Sequence, residues 1–347
     1  MRRAIVLARR GWGQTAPNPM VGAVLVRDGE VIGEGYHERF GEAHAEINAL
    51  AAAGARARGA TMYVTLEPCA HHGKTPPCVD ALAAAGVSRV VVAAGDPNPA
   101  ATGGAARLRA AGIDVAVGVE AQAAREVDPA FFFSFASRRP WITLKLAVSI
   151  DGALADAEGR SRWITGPRAR AAVHALRAGH DAIAVGIETA LADDPMLTVR
   201  DAPLPRVPPA RVVFDRRARL PVGSALARTA REIPPIVVAE TPDPGTAGAL
   251  EVGGVEIVAA SSLSRGLEAL AARGVRSLLV EGGARLAGSL WEQSAVDRLI
   301  IFQGPVVFGA GARGAFSFVP AQGIETAPRL PVRERRSLGD DTMTVYA

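Results

Sequence analysis

Two cysteines are all that the 347 residues hold, and each follows a proline: Pro68-Cys69 and Pro77-Cys78. Upstream, His44 and Glu46 stand two residues apart in GEAHAEINAL. One imidazole and two thiolates form a borderline-to-soft donor set that suits zinc with a fourth position left for water. A structural zinc closes its shell with four protein ligands, so three donors point to catalysis. Glu46 is then the carboxylate placed to carry a proton beside that water. Most histidines in a folded chain are structural, and His71, His72, His174 and His180 are read that way. His44 is not, because Glu46, Cys69 and Cys78 accompany it.

These residues need elements to hold them. Val21–Val26 and Val31–Tyr36 read as strands joined at Asp28-Gly29, a strong hairpin signal. A helix starting near Ala43 carries His44 and Glu46, with Ile47 and Leu50 at helical spacing. Thr61–Leu66 is an alternating strand that delivers Glu67-Pro68-Cys69, and Pro77–Ala85 is a helix with Cys78 in its first turn. A strand at Arg89–Ala94, a helix at Ala105–Ala111 and a strand at Ile113–Val117 follow. The alternation predicts an α/β layer structure with helices on both faces. Glu120–Ala136 reads as one helix ending in a phenylalanine cluster, and Ser137-Arg138-Arg139-Pro140 breaks it. The chain therefore divides into domains 1–138 and 139–347.

The second half opens with the strand Trp141–Val148, interrupted by Lys145, and continues through a helix at Pro167–Ala178. Strands follow at Asp181–Gly186, Arg211–Asp215, Pro235–Ala239, Val255–Ala259, Ser277–Val280, Arg298–Phe302 and Thr342–Tyr346, with a helix at Leu263–Arg273. Gly282-Gly283 lies between a strand and a helix, where backbone N–H groups beside a positive helix end suit phosphate. The dinucleotide fingerprint G-x-G-x-x-G is absent, which disfavours a strict Rossmann dehydrogenase.

Composition narrows the classes further. A net charge of +4, with arginines dispersed and no aromatic interleaving, gives no support to a nucleic-acid surface and suits a phosphorylated small molecule. Nearly half the residues are hydrophobic, yet no run approaches the roughly 18 apolar residues of a membrane helix. MRRAIVLARRGWGQ reads as an amphipathic helix and not a signal peptide. Two cysteines in so long a chain imply a reducing compartment, and the cytoplasm is expected.

The H-x-E half of the zinc deaminase signature is present, but eight residues separate the cysteines where the common pattern has two. Pro17-Asn18-Pro19-Met20-Val21-Gly22, then His44-Ala45-Glu46, then Pro68-Cys69 through Gly73-Lys74-Thr75-Pro76-Pro77-Cys78 occur in that order. In this the chain resembles the bifunctional riboflavin-biosynthesis deaminase/reductase (RibD) family. SIDG at 149–152, SRWIT at 161–165, ETALADDPMLTVR at 188–200 and VEGG at 280–283 extend the resemblance to the reductase half. It is weakest over Asp201–Ala260.

The resemblance implies a cytidine-deaminase-like three-layer domain followed by a dihydrofolate-reductase-like domain that uses NADPH. It implies zinc on His44, Cys69 and Cys78, with Glu46 moving the proton. Asn18 and His37 would contact the pyrimidine, and Lys74 the ribose phosphate. Ala147, Trp163, Thr189, Asp193 and the loop Gly283-Ala284-Arg285-Leu286-Ala287-Gly288-Ser289 would face the nucleotide. Ser161, Arg177, Leu197, Arg200 and Glu281 would face the phosphoribosyl substrate, with Ser149 and Asp151 in the turn between. Lys145 and Glu281 are the candidates for helping proton movement. Phosphorylated pyrimidines are the expected partners, with neither nucleic acid nor membrane, and a homo-oligomer is expected. Two other readings stand beside this one: a different base or nucleoside deaminase fused to an unrelated reductase, and a non-enzymatic zinc and nucleotide-binding module.

Overall fold

A computed structural model describes residues 1–72, 76–316, 319 and 323–347. The chain divides into two compact units, Met1–Ser137 with Pro205–Val207, and Arg138–Leu204 with Pro208–Ala347.

In the first unit, helix α1 (Arg2–Ala8) precedes the hairpin β1 (Gly22–Arg27) and β2 (Glu30–Tyr36). Helix α2 (Ala45–Ala53), β3 (Thr61–Leu66), α3 (Cys78–Ala84), β4 (Arg89–Ala94), α4 (Gly104–Ala110) and β5 (Asp114–Val117) follow, then α5 (Ala121–Arg125) and α6 (Pro129–Ser134). The sheet order is β2-β1-β3-β4-β5, antiparallel from β2 to β3 and parallel from β3 to β5. Alternation along β4 shows why three layers form. Val90 and Val92 join a core with Ala45, Ala49, Leu82 and Leu108 from α2, α3 and α4. Ala93 turns to the other face, with Ile5 of α1 and Ala124 of α5. The single helix expected over 120–136 is two helices. Pro129 lacks the N–H that would continue it, and the Asp128 carboxylate accepts from the Phe131 N–H at 3.3 Å to start the second.

The second unit begins with β6 (Trp141–Val148), β7 (Ala153–Ala155), α7 (Pro167–Ala178), β8 (Ala182–Gly186), α8 (Ile187–Asp193) and β9 (Ala210–Phe214). It continues through α9 (Ala225–Arg228), β10 (Pro235–Ala239), α10 (Pro244–Val252), β11 (Glu256–Ala259), α11 (Leu263–Ala272), β12 (Ser277–Glu281) and α12 (Ala284–Glu292). The last strands are β13 (Arg298–Gln303), β14 (Arg313–Gly314), β15 (Val332–Leu338) and β16 (Asp341–Tyr346). Nine of these strands form one sheet in the order β11-β10-β9-β8-β12-β6-β13-β16-β15. It is parallel from β11 to β13, and β16 and β15 add antiparallel. Its strands alternate between two cores as well. Ala182 and Ala184 face Leu267, Leu270 and Leu290, whereas Ile183 and Val185 face Leu226 and Leu250. Helices α9 and α10 and strand β15 were not foreseen; the two helices lie in the stretch where the sequence resemblance is weakest.

Candidate active sites

Helix α2 rests directly on β2. A β-carbon on Gly35 would lie 2.4 Å from the Ala45 carbonyl oxygen, and one on Gly33 2.4 Å from that of Ala49. This close approach fixes where the helix begins, with His44 as its N-cap and Glu46 in its first turn. Cys69 comes just beyond β3, and Cys78 is the first residue of α3. The loop between strand and cysteine is braced by Glu67, whose carboxylate accepts from the Ala105 N–H at 2.8 Å and the Asp96 N–H at 3.3 Å.

His44 Nδ1 lies 3.6 Å from Cys69 Sγ and 3.3 Å from Cys78 Sγ, and the three donor atoms lie within 4.8 Å of one another. A tetrahedral zinc ion with bonds of about 2.3 Å to sulfur and about 2.1 Å to nitrogen separates nitrogen from sulfur by about 3.6 Å. The donor set therefore fits the ion in both chemistry and spacing. Among the described residues it is the only such group of three. The hydrogen bond from the Cys78 thiol, with help from His44, lowers Cys69 to about 4. That bond and burial push Cys78 up. A divalent cation in their midst would displace the protons of both sulfurs. The Cys69 hydrogen bond raises His44 in turn. Glu46 is 3 % exposed, and burial raises its pKa.

His37 is buried and stands edge-on to His44, ring centroids 5.2 Å apart. Its Nδ1 is 3.1 Å from the Ala43 carbonyl oxygen, which only accepts, so Nδ1 carries the hydrogen. Nε2 then accepts from the Asn18 amide at 3.2 Å. Burial lowers the His37 pKa and favours this neutral form. The pair brings Asn18 to the metal-ligand cluster. Met20 N–H donates to Asp128 at 3.2 Å, pinning the same loop from a residue that no motif marked. Lys74 lies outside the described residues.

In the second unit the polar residues gather at the carboxyl ends of β6 and β12. Arg177 of α7 grips Glu281 with both arms, at 2.5 and 2.9 Å, and its third hydrogen bond goes to the Thr198 carbonyl at 2.9 Å. Burial opposes ionisation of Glu281, but Arg177 and then Lys145 outweigh it and lower its pKa. Lys145 is the register partner of Glu281 on the parallel neighbour β6, and burial lowers the pKa of its ammonium. His174, assigned a structural place from sequence, accepts from the Arg200 N–H at 3.1 Å and so sits in this cluster. Leu197 is buried in the same segment, with φ of 49°. His180 spans the Leu176 carbonyl at 2.7 Å and the Thr143 hydroxyl at 3.1 Å, a bracing role within the unit.

The nucleotide candidates fall into two groups. Thr189 of α8 meets the Gly282-Gly283 turn, where a β-carbon on Gly283 would lie 2.8 Å from Thr189 Oγ1. Arg162 donates to the Asp193 carbonyl at 2.5 Å, which ties Ser161 and the exposed Trp163 to the end of α8; Arg170 lies 4.6 Å over the Trp163 ring. Ala147 follows Lys145 by two residues on β6. The segment expected as a loop over 283–289 is mostly helix α12, with Leu286, Ala287 and Gly288 buried and Ala284, Arg285 and Ser289 retaining surface. Ser149 donates to Asp151 at 2.6 Å; this bond and those from Gly309 and Phe308 lower Asp151 to about 2 and fix the turn.

Residues 140–344 match the RibD C-terminal domain, and residues 1–94 match the cytidine and deoxycytidylate deaminase zinc-binding region. The riboflavin biosynthesis protein RibD of Escherichia coli (strain K12) is 42% identical over 98% of this chain and 96% of the relative. That of Aquifex aeolicus (strain VF5) is 40% identical over 100% and 97%. Among solved structures, Acinetobacter baumannii RibD superposes with a TM-score of 0.87 at 37% identity, covering 99% of this chain and 96% of that one. A diaminohydroxyphosphoribosylaminopyrimidine deaminase/5-amino-6-(5-phosphoribosylamino)uracil reductase of Thermotoga maritima gives 0.84 at 34% identity, covering 100% and 97%.

Proposed function

The chain belongs to the RibD family of riboflavin biosynthesis proteins, and from that membership we propose which of its side chains perform the two reactions. It is a bifunctional enzyme. One activity is zinc-dependent deamination of 2,5-diamino-6-(5-phosphoribosylamino)pyrimidin-4-one, and the other is NADPH-dependent reduction of the resulting phosphoribosylaminouracil to its ribityl form. We assign deamination to residues 1–138 and reduction to 139–347. The observation that carries the deaminase assignment is the group of three donors with a buried carboxyl beside it.

Zinc, when held by His44, Cys69 and Cys78, supplies the acidity that makes water a nucleophile near neutral pH. Glu46 would take one proton of the attacking water and pass it to the ring nitrogen, then take the remaining hydroxyl proton and pass it to the departing amine, which leaves as ammonia as the carbonyl forms. Asn18, held by His37, fixes the pyrimidine, and Lys74 meets the ribose phosphate.

NADPH, when bound, supplies the hydride for the second reaction. Ala147, Trp163, Thr189, Asp193 and the 283–289 segment hold the cofactor. Ser161, Arg177, Leu197, Arg200 and Glu281 hold the phosphoribosyl group. Opening of the sugar ring needs a proton on the departing ring oxygen; Lys145 Nζ delivers it, its acidity enhanced by burial, which outweighs the opposing attraction of Glu281 beside it. Among the described residues no helix is long and apolar enough to cross a membrane. A cytoplasmic setting, which keeps both thiol ligands reduced, and self-association of the chain belong to the same proposal.

The decisive experiment supplies the diamino substrate with NADPH and follows the nicotinamide absorbance, with and without a chelator. Oxidation should need the metal for this substrate but not for the deaminated one. Equal hydrolysis of free cytidine or adenosine would remove the pyrimidine phosphate from its place as substrate.

A further inference from the structure

We propose that Arg206 is a positioning residue for deamination: it clips the turn 13–16, and that turn sets where the main chain carries Asn18 to the pyrimidine. The inference rests on the reading of Asn18 as a pyrimidine contact. It gives the deaminase a residue from the stretch of sequence assigned to the reductase.

Place in the chain is the first ground. Pro205–Val207 lie between α8 and β9 in the sequence, yet they belong to the first unit. Prolines at 203, 205, 208 and 209 surround Arg206. Each locks its own φ, and Leu204, Val207 and Pro208, each ahead of a proline, are held away from helical geometry. Such a segment has little freedom left to lose when it is laid down, so it acts as a strap of set reach.

Hydrogen bonding is the second. The carbonyls of residues 13–16 are all engaged. That of Gly13 accepts from the Arg206 N–H at 2.9 Å, and that of Ala16 from the Arg206 guanidinium. That of Gln14 accepts from the Phe40 N–H at 3.2 Å, and that of Thr15 from the Asn18 N–H at 2.8 Å. Arg206 thus supplies the bonds at the two ends of the turn. Its guanidinium carbon also lies 4.9 Å from the centroid of the Phe40 ring, an attraction that holds the side chain over the turn's other partner.

What the turn leads to is the third. The Asn18 amide is bound to His37 at 3.2 Å, and the start of the turn packs on the same histidine. A β-carbon on Gly11 would lie 2.8 Å from the His37 carbonyl oxygen and 2.8 Å from Thr15 Cγ2. Pro17 and Pro19 stiffen the chain beside Asn18 without fixing where it stands. His37 fixes the side chain, and the clipped turn fixes the main chain. A displacement of about 1 Å in a group that holds substrate is enough to weaken its contact.

Arg206→Ala keeps the main-chain bond to Gly13 and removes only the guanidinium, so the strap stays in place. In the full-length, zinc-loaded enzyme its KM for the diamino substrate should rise about tenfold with kcat within about twofold, because the contact serves substrate and transition state alike. Arg206→Lys should recover part of the loss, since an ammonium still donates to a carbonyl and lies over a ring but lacks the planar fork. Zinc content and NADPH-dependent reduction of the deaminated substrate should be those of the parent. Hydrogen exchange at the amides of Gln14 and Asn18 should quicken at least about fivefold in Arg206→Ala. Unchanged KM, unchanged exchange, or an equal loss of deaminase and reductase activity overturns the assignment. Quickened exchange in a protein whose parent form does not deaminate the diamino substrate would leave the clip standing and remove the pyrimidine reading instead.

Discussion

The two halves place their chemistry in opposite ways. In the first, His44, Glu46, Cys69 and Cys78 fall within thirty-five positions, and two helix starts and one strand end bring them together. In the second, Lys145, Arg177, Thr198, Glu281 and Gly283 are scattered over five elements and connecting segments. Zinc chemistry asks for side chains that few residue types provide. Hydride transfer from a bound cofactor asks chiefly for backbone shape and placement, which common residues supply.

That contrast can be broken by experiment, and removal of the metal should be the most severe test. Chelation, or Cys78→Ser, should abolish deamination outright while reduction of the deaminated substrate continues; parallel loss of both activities would show that the halves are not separable. Glu46→Gln should lower deaminase kcat by about 10²- to 10⁴-fold with zinc content unchanged by atomic absorption. Undiminished turnover would move the proton to another group.

In the second half the largest effect should be on stability. Arg177→Met leaves Glu281 buried and unpaired, so denaturant titration should show a loss of about 3–5 kcal/mol. The pair also predicts a pH dependence. The folded pKa of Glu281 is below its ordinary value, so its contribution is fully present above about 4.3 and lost as pH falls through the depressed folded value. Glu281→Gln should flatten that acid limb, and an unchanged limb would place the linked proton elsewhere. The smallest effect should come from His37→Phe, which frees Asn18: KM for the diamino substrate should rise about fivefold to tenfold. A fall in kcat alone would mean that His37 acts on the reaction instead of on Asn18.

How much of this was legible follows the same division. The metal donors could be read because Cys and His at such spacings have few other uses. Most strands could be read because apolar runs such as PIVVA at 235–239 are bounded by turn residues. Helix α10 escaped because Gly and Thr dilute the apolar stripe of PGTAGALEV. Glu67 and Asp128, which brace the deaminase loops, carried no signal: a carboxylate accepting two backbone N–H groups looks like any surface acid until the chain is folded. His174 escaped for a related reason, since its partner is a main-chain amide 26 positions away.

Strand β15 was missed because VRERRSL has no apolar face, and six of its seven residues are exposed. It is the outermost strand beyond β16. The outer edge of a sheet is where another chain could add a strand, and the charged side chains of Glu334, Arg335 and Arg336 along β15 disfavour that pairing with apolar strands. Charges along an outer strand are a common protection of sheet edges against strand-to-strand aggregation.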